Sequence, residues 1–284
     1  MSNVSSHLYI SDLDGTLLRN DASLSNFARE TLNRLIADGL LFTVATARGI
    51  HSIRTLLEGL NLKLPVIEFN GGFISDFSTG THLVINEIEP TVSREILALM
   101  RSYHGEPFLS TFDGRSDHLY YQDVSVGKMK EYYDDRVTMN DKRLQHAADL
   151  SSKLTDNVMT LTAINTFHVL SPLYERLKEE YDDLTEIHFW DNQYWPGSWW
   201  LTVHDKRATK DRAVLELADM LSHPASEITV FGDHVQDVQL FQVGKRKIAV
   251  ANAIDEIKQL ATHHIGSNEE DAVVRFIEEE WNSR

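Results

Sequence analysis

Short runs of β-forming apolar residues alternate with amphipathic stretches through the opening of this chain, and few folds accommodate that alternation. His7-Leu8-Tyr9-Ile10, Leu41-Phe42-Thr43-Val44-Ala45 and Pro65-Val66-Ile67-Glu68-Phe69 are continuous enough to fill strands buried on both faces. Between the first two, Ala28, Leu32, Leu35 and Ile36 keep the i, i+4, i+7, i+8 spacing of one helix face, and Gly39 supplies a stop. Ile50, Ile53, Leu57 and Leu60 mark a second helix. Strand and helix in strict turn predict a parallel βαβαβ sheet, so the expected fold class is α/β.

Asn70-Gly71-Gly72 interrupts the rhythm. Phe73-Ile74 and Leu83-Val84-Ile85 then read as a hairpin around Ser78-Thr79-Gly80. From Glu89 to Tyr194 the texture is that of an α+β insert, opening with a helix over Ile96–Tyr103. A hairpin of Phe108–Phe112 and His118–Tyr121 follows, turning at Asp113-Gly114, and then a helix over Val124–Asp135. Residues 137–156 are polar and weakly patterned, in part helical. Val158–Ile164 reads as a strand, Pro172–Tyr181 as a helix with its proline in the first turn, and Thr185–Trp190 as a strand. The α/β rhythm resumes with a strand at Trp199–Val203 and a helix over Lys210–Leu221. The strand Ile228–Phe231, a short helix over Gln236–Val243, the strand Ile248–Val250 and helices over Ile254–Ala261 and Asp271–Trp281 complete it. The expected organisation is a discontinuous core, 1–88 with 195–284, and an inserted domain, 89–194.

Composition narrows the function. The 284 residues are 42% hydrophobic and 25% charged, as in a folded globular protein of more than one domain. A formal charge of −16 argues against nucleic acid or an anionic membrane as partner, and obliges any anionic substrate to be met by a local cation. The absence of cysteine excludes disulfides, thiol catalysis and cysteine-ligated metal. No apolar run approaches the ~20 residues of a membrane span, and no signal pattern opens the chain, which makes a cytoplasmic protein the expectation.

The chemistry gathers where strands end. Asp12-Leu13-Asp14-Gly15-Thr16 follows the first strand, Thr46-Ala47-Arg48 the second, and Gly232-Asp233-His234-Val235-Gln236-Asp237 the strand Ile228–Phe231. In a parallel sheet such ends converge on one crevice. Carboxylates brought together there repel one another and call for a cation or a shared proton. Acidic residues from two strand ends make a hard-oxygen site suited to Mg2+, and a threonine hydroxyl and a lysine nearby would complete a phosphate cradle. No Gly-x-x-x-x-Gly-Lys-Ser/Thr loop is present, so this is not a P-loop site.

These motifs, in this order, resemble the haloacid dehalogenase (HAD) superfamily of phosphohydrolases. Asp12–Thr16 matches its first motif, Val44-Ala45-Thr46-Ala47-Arg48 the second, Lys210 the third and Gly232–Asp237 the fourth. Asn70-Gly71-Gly72 and Val250-Ala251-Asn252-Ala253 further resemble the Cof-type branch. Members of that branch carry a C2-type α/β cap between the second and third motifs, where the insert falls. The resemblance implies a Rossmann-like parallel-sheet core with an inserted cap, acting as a Mg2+-dependent phosphatase on small phosphorylated metabolites, sugar phosphates first.

Residue by residue, the resemblance implies Asp12 as nucleophile, forming an aspartyl-phosphate, and Asp14 as acid and then base. It implies Mg2+ held by Asp12, the Asp14 backbone carbonyl and Asp233, with Asp237 in the same acidic group. Thr46, the backbone N–H groups of Leu13 and Ala47, Lys210 and the Gln236 amide would hold the phosphate. Two positions depart from the family: Ala47 stands where glycine is usual, and Gln236 where asparagine is usual. A sugar phosphomutase using the same aspartyl-phosphate, and a phosphometabolite-binding protein without turnover, are the alternatives. Arg48 is balanced between a salt-bridge partner and a substrate contact, and Lys206 reads as surface. Trp190, Tyr194, Trp195, Trp199 and Trp200 read as core or domain-junction packing, with stacking on a sugar or planar base as the alternative. The 13 histidines show no metal spacing, and His263-His264 reads as surface. Oligomeric state is not legible.

Overall fold

The structure, a computed structural model, describes residues 7–103, 105–124, 127–192 and 195–283. Strand β1 (Leu8–Ser11) leads into a tight turn over 13–17 and then helix α1 (Asn26–Ala37). Ser25 starts this helix by accepting the Ala28 N–H on its hydroxyl at 2.9 Å. Ala28, Leu32, Leu35 and Ile36 are buried, as their spacing requires. Strand β2 (Leu41–Val44) returns parallel to β1, with Leu8 opposite Leu41 and Ser11 opposite Val44. Helix α2 (Ile50–Leu56) and strand β3 (Val66–Glu68) follow. The third strand departs from the expected parallel sheet. It touches β2 through a single parallel bridge, Ala45 to Ile67, and pairs antiparallel with β4 (Phe73–Ser75), itself paired with β5 (His82–Ile85). The positive φ angles at Phe69, Asn70 and Gly71 reverse the chain directly after β3, so its next neighbour is antiparallel.

The chain divides into two compact units, Met1–Ile85 with Thr209–Arg284, and Asn86–Ala208. In the second unit α3 (Pro90–Ser102) is capped by the Glu89 carboxylate, which accepts from Thr91 N and Val92 N at 2.9 and 3.0 Å. Strands β6 (Phe108–Phe112) and β7 (Asp117–Tyr121) make the expected hairpin. Helix α4 (Lys128–Thr138) crosses to β8 (Leu144–His146), which pairs parallel with β7 inside the stretch read as partly helical. Strand β9 (Asn157–Asn165) and helix α5 (Phe167–Tyr181) come next. Pro172 lies inside α5 and not in its first turn, because Leu170, Leu173 and Leu177 together bury one face and extend the helix toward its N-terminus.

Strands β10 (Thr185–Asp191) and β11 (Trp199–Asp205) complete a six-stranded sheet in the order β10-β11-β9-β6-β7-β8. Here the expectation for Trp199–Val203 is corrected. This strand does not reopen the parallel core; it pairs antiparallel with both neighbours, Trp200 facing Trp190 and Ile164. The boundary therefore falls after Ala208 and not at 194/195. An apolar run buried on both faces has the same composition in either sheet, so the run alone could not assign it. Tyr194, at the expected boundary, lies outside the described residues.

The first unit resumes with α6 (Lys210–Met220), β12 (Ile228–Gly232), α7 (Leu240–Val243), β13 (Arg246–Ala249), α8 (Asp255–Leu260), β14 (His263–His264) and α9 (Ala272–Asn282). His263 and His264 are exposed, in a two-residue strand on the sheet edge. The five-stranded sheet runs β14-β13-β12-β1-β2, all parallel, with β1 in the middle. Ser11 is level with both Phe231 and Val44, so β12, β1 and β2 end together. Asp233, Asp12 and Thr46 leave from neighbouring strand ends. Among the described residues no helix is long and apolar enough to cross a membrane.

One close approach joins the interrupted halves of this unit. Gly71 has φ +108°, and a Cβ there would lie 2.6 Å from the Thr209 carbonyl oxygen and 2.9 Å from its nitrogen. Gly80 has a similar φ of +77°, yet its nearest neighbour would be the Arg54 side chain at 3.4 Å. Backbone strain of this type costs about 1–3 kcal/mol, and at Gly71 steric displacement of Thr209 adds to it. Gly71→Ala is therefore expected to lower the thermal midpoint more than Gly80→Ala does. Equal shifts in the two variants would refute the close-packing account.

Candidate active site

Asp12 follows β1 directly, and its backbone N–H donates to Phe231 O of β12 at 3.0 Å. The residue is 7% exposed. Gly15 then turns the chain with φ +75°, and a Cβ at that point would fall 2.5 Å from Asp233 Oδ2. Only glycine lets the first loop lie this close to the second. Thr16, one residue on, donates its hydroxyl to Asp233 Oδ1 at 2.7 Å. The two acidic loops are thus fastened to each other before any ion or substrate is considered.

Lys210, at the first position of α6, is 1% exposed. Its Nζ donates to Asp12 Oδ1 at 2.6 Å and to Asp237 Oδ1 at 2.7 Å. The other oxygen of Asp237 accepts the backbone N–H groups of Asp233 and His234 at 2.9 and 3.1 Å. Asp237 is therefore committed to shaping its own loop and to holding the ammonium. Asp14 points to a different partner. Arg48 grips its carboxylate with two parallel bonds of 2.7 Å, Nε to Oδ2 and Nη2 to Oδ1.

Charge does not balance in this cluster. Asp12, Asp233 and Asp237 offer oxygens that all lie within 4.8 Å of one another. Burial, then the neighbouring Asp237, push the Asp12 carboxyl well above the usual carboxylate range, with Lys210 pulling the other way. Burial and Asp237 raise Asp233 to about 7, against the Thr16 hydroxyl bond. For Lys210, burial opposes the charge, but Asp12 and Asp237 outweigh it and hold the ammonium protonated. One ammonium cannot neutralise three carboxylates. The remaining negative charge, on hard oxygen donors only, fits a divalent cation such as Mg2+.

The residues singled out in the sequence fall as follows. Asp12, Asp233, Asp237 and Lys210 converge. Thr46 is buried at the end of the β2 run, and its Oγ1 accepts Arg48 N at 3.2 Å. Leu13 and Ala47 stand directly after Asp12 and Thr46, which puts their backbone N–H groups at the same strand ends. Gln236 is half-buried in the short turn Val235–Asp237. Arg48 is a salt-bridge partner, and the partner is Asp14. Lys206 belongs to the other unit, 3.7 Å from Glu186.

Supporting residues escaped the sequence reading. The Asn252 amide donates to Gly15 O at 2.7 Å, and its Oδ1 accepts Asn268 N at 3.1 Å. Asn268 in turn donates to Leu18 O at 3.0 Å, so two asparagines from the C-terminal segment hold the loop after Asp14. Buried Glu68 accepts the Ile50 N–H and the Ser75 hydroxyl and lies 3.3 Å from His82 Nδ1, anchoring the end of the Thr46–Arg48 loop. The motif after the fourth strand end pointed to Asn252 without a role; a strand-end glutamate and a distant asparagine carried no local signal.

The haloacid dehalogenase-like hydrolase family matches residues 9–277. Among curated relatives, the chain is 25% identical over 279 residues to 5-amino-6-(5-phospho-D-ribitylamino)uracil phosphatase YitU of Bacillus subtilis, covering 96% of this chain and 97% of that one. It is 27% identical over 281 residues to the phosphatase YwtE of the same name and organism, covering 94% and 96%. A haloacid dehalogenase-like hydrolase from Bacteroides thetaiotaomicron has the same fold, with a TM-score of 0.79 at 20% identity over 96% of this chain and 98% of that one. Another, from B. subtilis, superimposes with a TM-score of 0.77 at 21% identity, covering 95% and 98%. With strand ends, carboxylates and lysine in the order the motifs require, the chain belongs to the haloacid dehalogenase-like hydrolase family, in its Cof-type branch of phosphatases.

Proposed function

We propose that the protein hydrolyses the phosphomonoesters of small metabolites, with Mg2+ as cofactor and Asp12 as nucleophile. The observation that carries this reading is the buried cluster in which Lys210 serves Asp12 and Asp237 while Asp233 stands within reach of both. Asp12, Asp233 and the Asp14 backbone carbonyl are the groups that would hold the ion, with Asp237, bound to Lys210 and its own loop, in the same acidic group. Bound there, Mg2+ would screen the carboxylates from the incoming phosphate and draw charge from its oxygens.

An Asp12 oxygen attacks phosphorus, the bond from phosphorus to the ester oxygen breaks, and Asp14 gives its proton to the departing alkoxide. Water then attacks the aspartyl-phosphate, Asp14 takes back a proton, and the bond to Asp12 breaks to release phosphate. Lys210, the Thr46 hydroxyl, the Gln236 amide and the N–H groups of Leu13 and Ala47 receive charge on the transferring group. In the ligand-free protein Arg48 holds both Asp14 oxygens, so one of them must be released before Asp14 carries the proton it gives. Ala47 keeps its backbone donor, and Gln236 keeps an amide one methylene longer than asparagine.

The substrate class we favour is a sugar or polyol phosphate. Two relatives are named for a ribityl phosphate carried on a uracil, which supports a polyol ester with a polar or planar appendage. Groups that hold phosphate and metal are common to every ester, so discrimination falls to the unit Asn86–Ala208, read as a C2-type cap. Ile187, Phe189, Leu201 and Val203 pack with α3 and α5. Strand alternation therefore gives the other sheet face to His188, Trp190, Trp200 and Thr202. Trp200 there meets Tyr132 edge-on at 4.9 Å and stacks on Trp195 at 6.2 Å. Absence of cysteine and the acidic surface suit a cytosolic enzyme without nucleic-acid or membrane partners.

Asp12→Asn is expected to keep the fold and abolish turnover of phosphomonoesters with Mg2+, since an amide neither attacks phosphorus nor ligates the ion well. Substantial residual turnover would move the nucleophile elsewhere, and turnover persisting in EDTA would remove the metal from the reading. A second expectation concerns pH. Asp233 titrates at about 7 when folded against an ordinary 3.8, so between those values the metal-free folded state binds more protons than the unfolded one. Stability contributed by this group is present below about pH 4 and is lost as pH rises to about 7. Mg2+ should therefore raise the thermal midpoint more at about pH 8 than at about pH 5, and Asp233→Asn should flatten that dependence. A pH-independent Mg2+ effect in the parent protein would contradict the assignment. Finally, alanine at His188 or Trp190 is expected to reorder preference among several phosphate esters, p-nitrophenyl phosphate included. A common scaling of all substrates would deny the cap its role in specificity.

A further inference from the structure

Two buried polar side chains in one corner of the first unit spend none of their hydrogen-bonding capacity on the protein; Thr229, on β12, is a third and stands apart from them. Among the described residues, neither Nδ2 nor Oδ1 of Asn70 has a partner, and neither does the Thr209 hydroxyl. Asn70 is 1% exposed and Thr209 5%. Buried amides and hydroxyls are paired in the great majority of cases, because leaving them unpaired costs stability. Two in one corner call for a reason.

That corner lies between the elements assigned above to the phosphoryl group. The Asn70 N–H donates to Thr46 O at 2.9 Å, which fixes Asn70 against the loop carrying Thr46. The next residue, Gly71, packs on the Thr209 backbone so closely that a Cβ would sit 2.6 Å from its carbonyl oxygen. Lys210 follows Thr209 in the chain. Asn70 holds a left-handed conformation, φ +54°, that asparagine tolerates better than most residues. Thr209 caps α6, a place where threonine ordinarily spends its hydroxyl on an N–H of the first helical turn. It makes no such bond here; its carbonyl takes Ala213 N at 3.0 Å and the hydroxyl is left over.

We propose that Asn70 Nδ2 and Thr209 Oγ1 are donors to the phosphorylated ligand, extending the cradle from Thr46 across to Lys210. This rests on the phosphatase reading of the same site. The two groups supply N–H and O–H donors to an anion with lone pairs to spare. Being neutral, they add no charge that competes with the cation for the carboxylates. Their cost falls on the ligand-free protein and is recovered when the anion binds. Removing a structural residue lowers stability with function, whereas removing a donor of this kind lowers ligand affinity and leaves ligand-free stability unchanged or higher.

The test uses the full chain with Mg2+ and inorganic phosphate as competitive inhibitor. Asn70→Asp keeps the size and the left-handed backbone but replaces the donor by an acceptor. Asn70→Gly keeps the backbone and removes the amide, and Thr209→Val keeps the shape and removes the hydroxyl. The phosphate inhibition constant is expected to rise about tenfold or more in Asn70→Gly and Thr209→Val, and further in Asn70→Asp. The thermal midpoint of Thr209→Val without phosphate should match or exceed the parent. Inhibition constants within about twofold of the parent in all three variants would overturn the assignment, as would a ligand-free midpoint of Thr209→Val that falls in step with affinity; Asn70→Asp, which buries a new carboxyl, is read by its inhibition constant alone. A parent protein that neither hydrolyses phosphomonoesters nor binds phosphate would overturn the phosphatase reading as well. A parent that binds phosphate alongside unaffected variants would overturn only the roles of Asn70 and Thr209.

Discussion

A single buried ammonium governs this site. Lys210 Nζ is shared by Asp12 and Asp237, which stand 198 and 27 positions away in the chain. Deprotonating it would leave three buried carboxylates facing one another, and deleting it would take the cation from Asp12 and Asp237. The lysine can reach both because α6 begins directly after the inserted unit returns the chain, with Thr209 wedged on Gly71. Even so, burial and then the crowding of like charges raise the Asp12 and Asp233 carboxyls, one positive charge standing against three negatives. The three carboxylates are grouped closely enough that a divalent cation could meet that deficit.

The rest of the first unit holds that tension in place. Parallel strands β12, β1 and β2 end level, so the acidic loops start from a rigid edge. The loops are then tied to each other through Thr16 and Asp233, and tied back through Asn252, Asn268 and Glu68. Each tie is a hydrogen bond of modest net worth, about 0.5–1.5 kcal/mol, but together they remove the freedom by which repelling carboxylates would separate. Asp14 is turned toward Arg48, which holds both of its carboxylate oxygens, while its backbone stays beside Asp12.

The second unit follows a different logic. Its sheet is mostly antiparallel, with one face packed on α3 and α5 and the other carrying aromatic and polar side chains in alternation. Trp199 packs with the helix side, whereas Trp200 meets Tyr132 and Trp195 on the other face. One residue of register sends the two tryptophans to different clusters, Trp199 to the one with α3 and α5 and Trp200 to the one with Phe108 and Ile164. Of the reading of these aromatics as core or domain-junction packing, the core half holds for Trp199 and Trp200, on the two faces of one sheet.

Much was legible without coordinates. Period and strand-end chemistry determined the α/β class, the insert, and the gathering of Asp12, Asp233 and Asp237, because each of those is a local pattern repeated at predictable places, whereas Lys210 was assigned from the resemblance of the motifs. Strand partners were not legible: Val66–Glu68 and Trp199–Asp205 have the composition of buried parallel strands, yet both pair antiparallel. Which strands pair depends on how the chain turns after each of them, and left-handed residues at 69–71 and a place between two strands of another sheet are decided only on folding. The grip of Arg48 on Asp14, the Asn252–Asn268 ties and the unspent donors of Asn70 and Thr209 belong to the same class. They are relations between side chains and backbone groups that the chain separates and only the packed core brings within hydrogen-bond range.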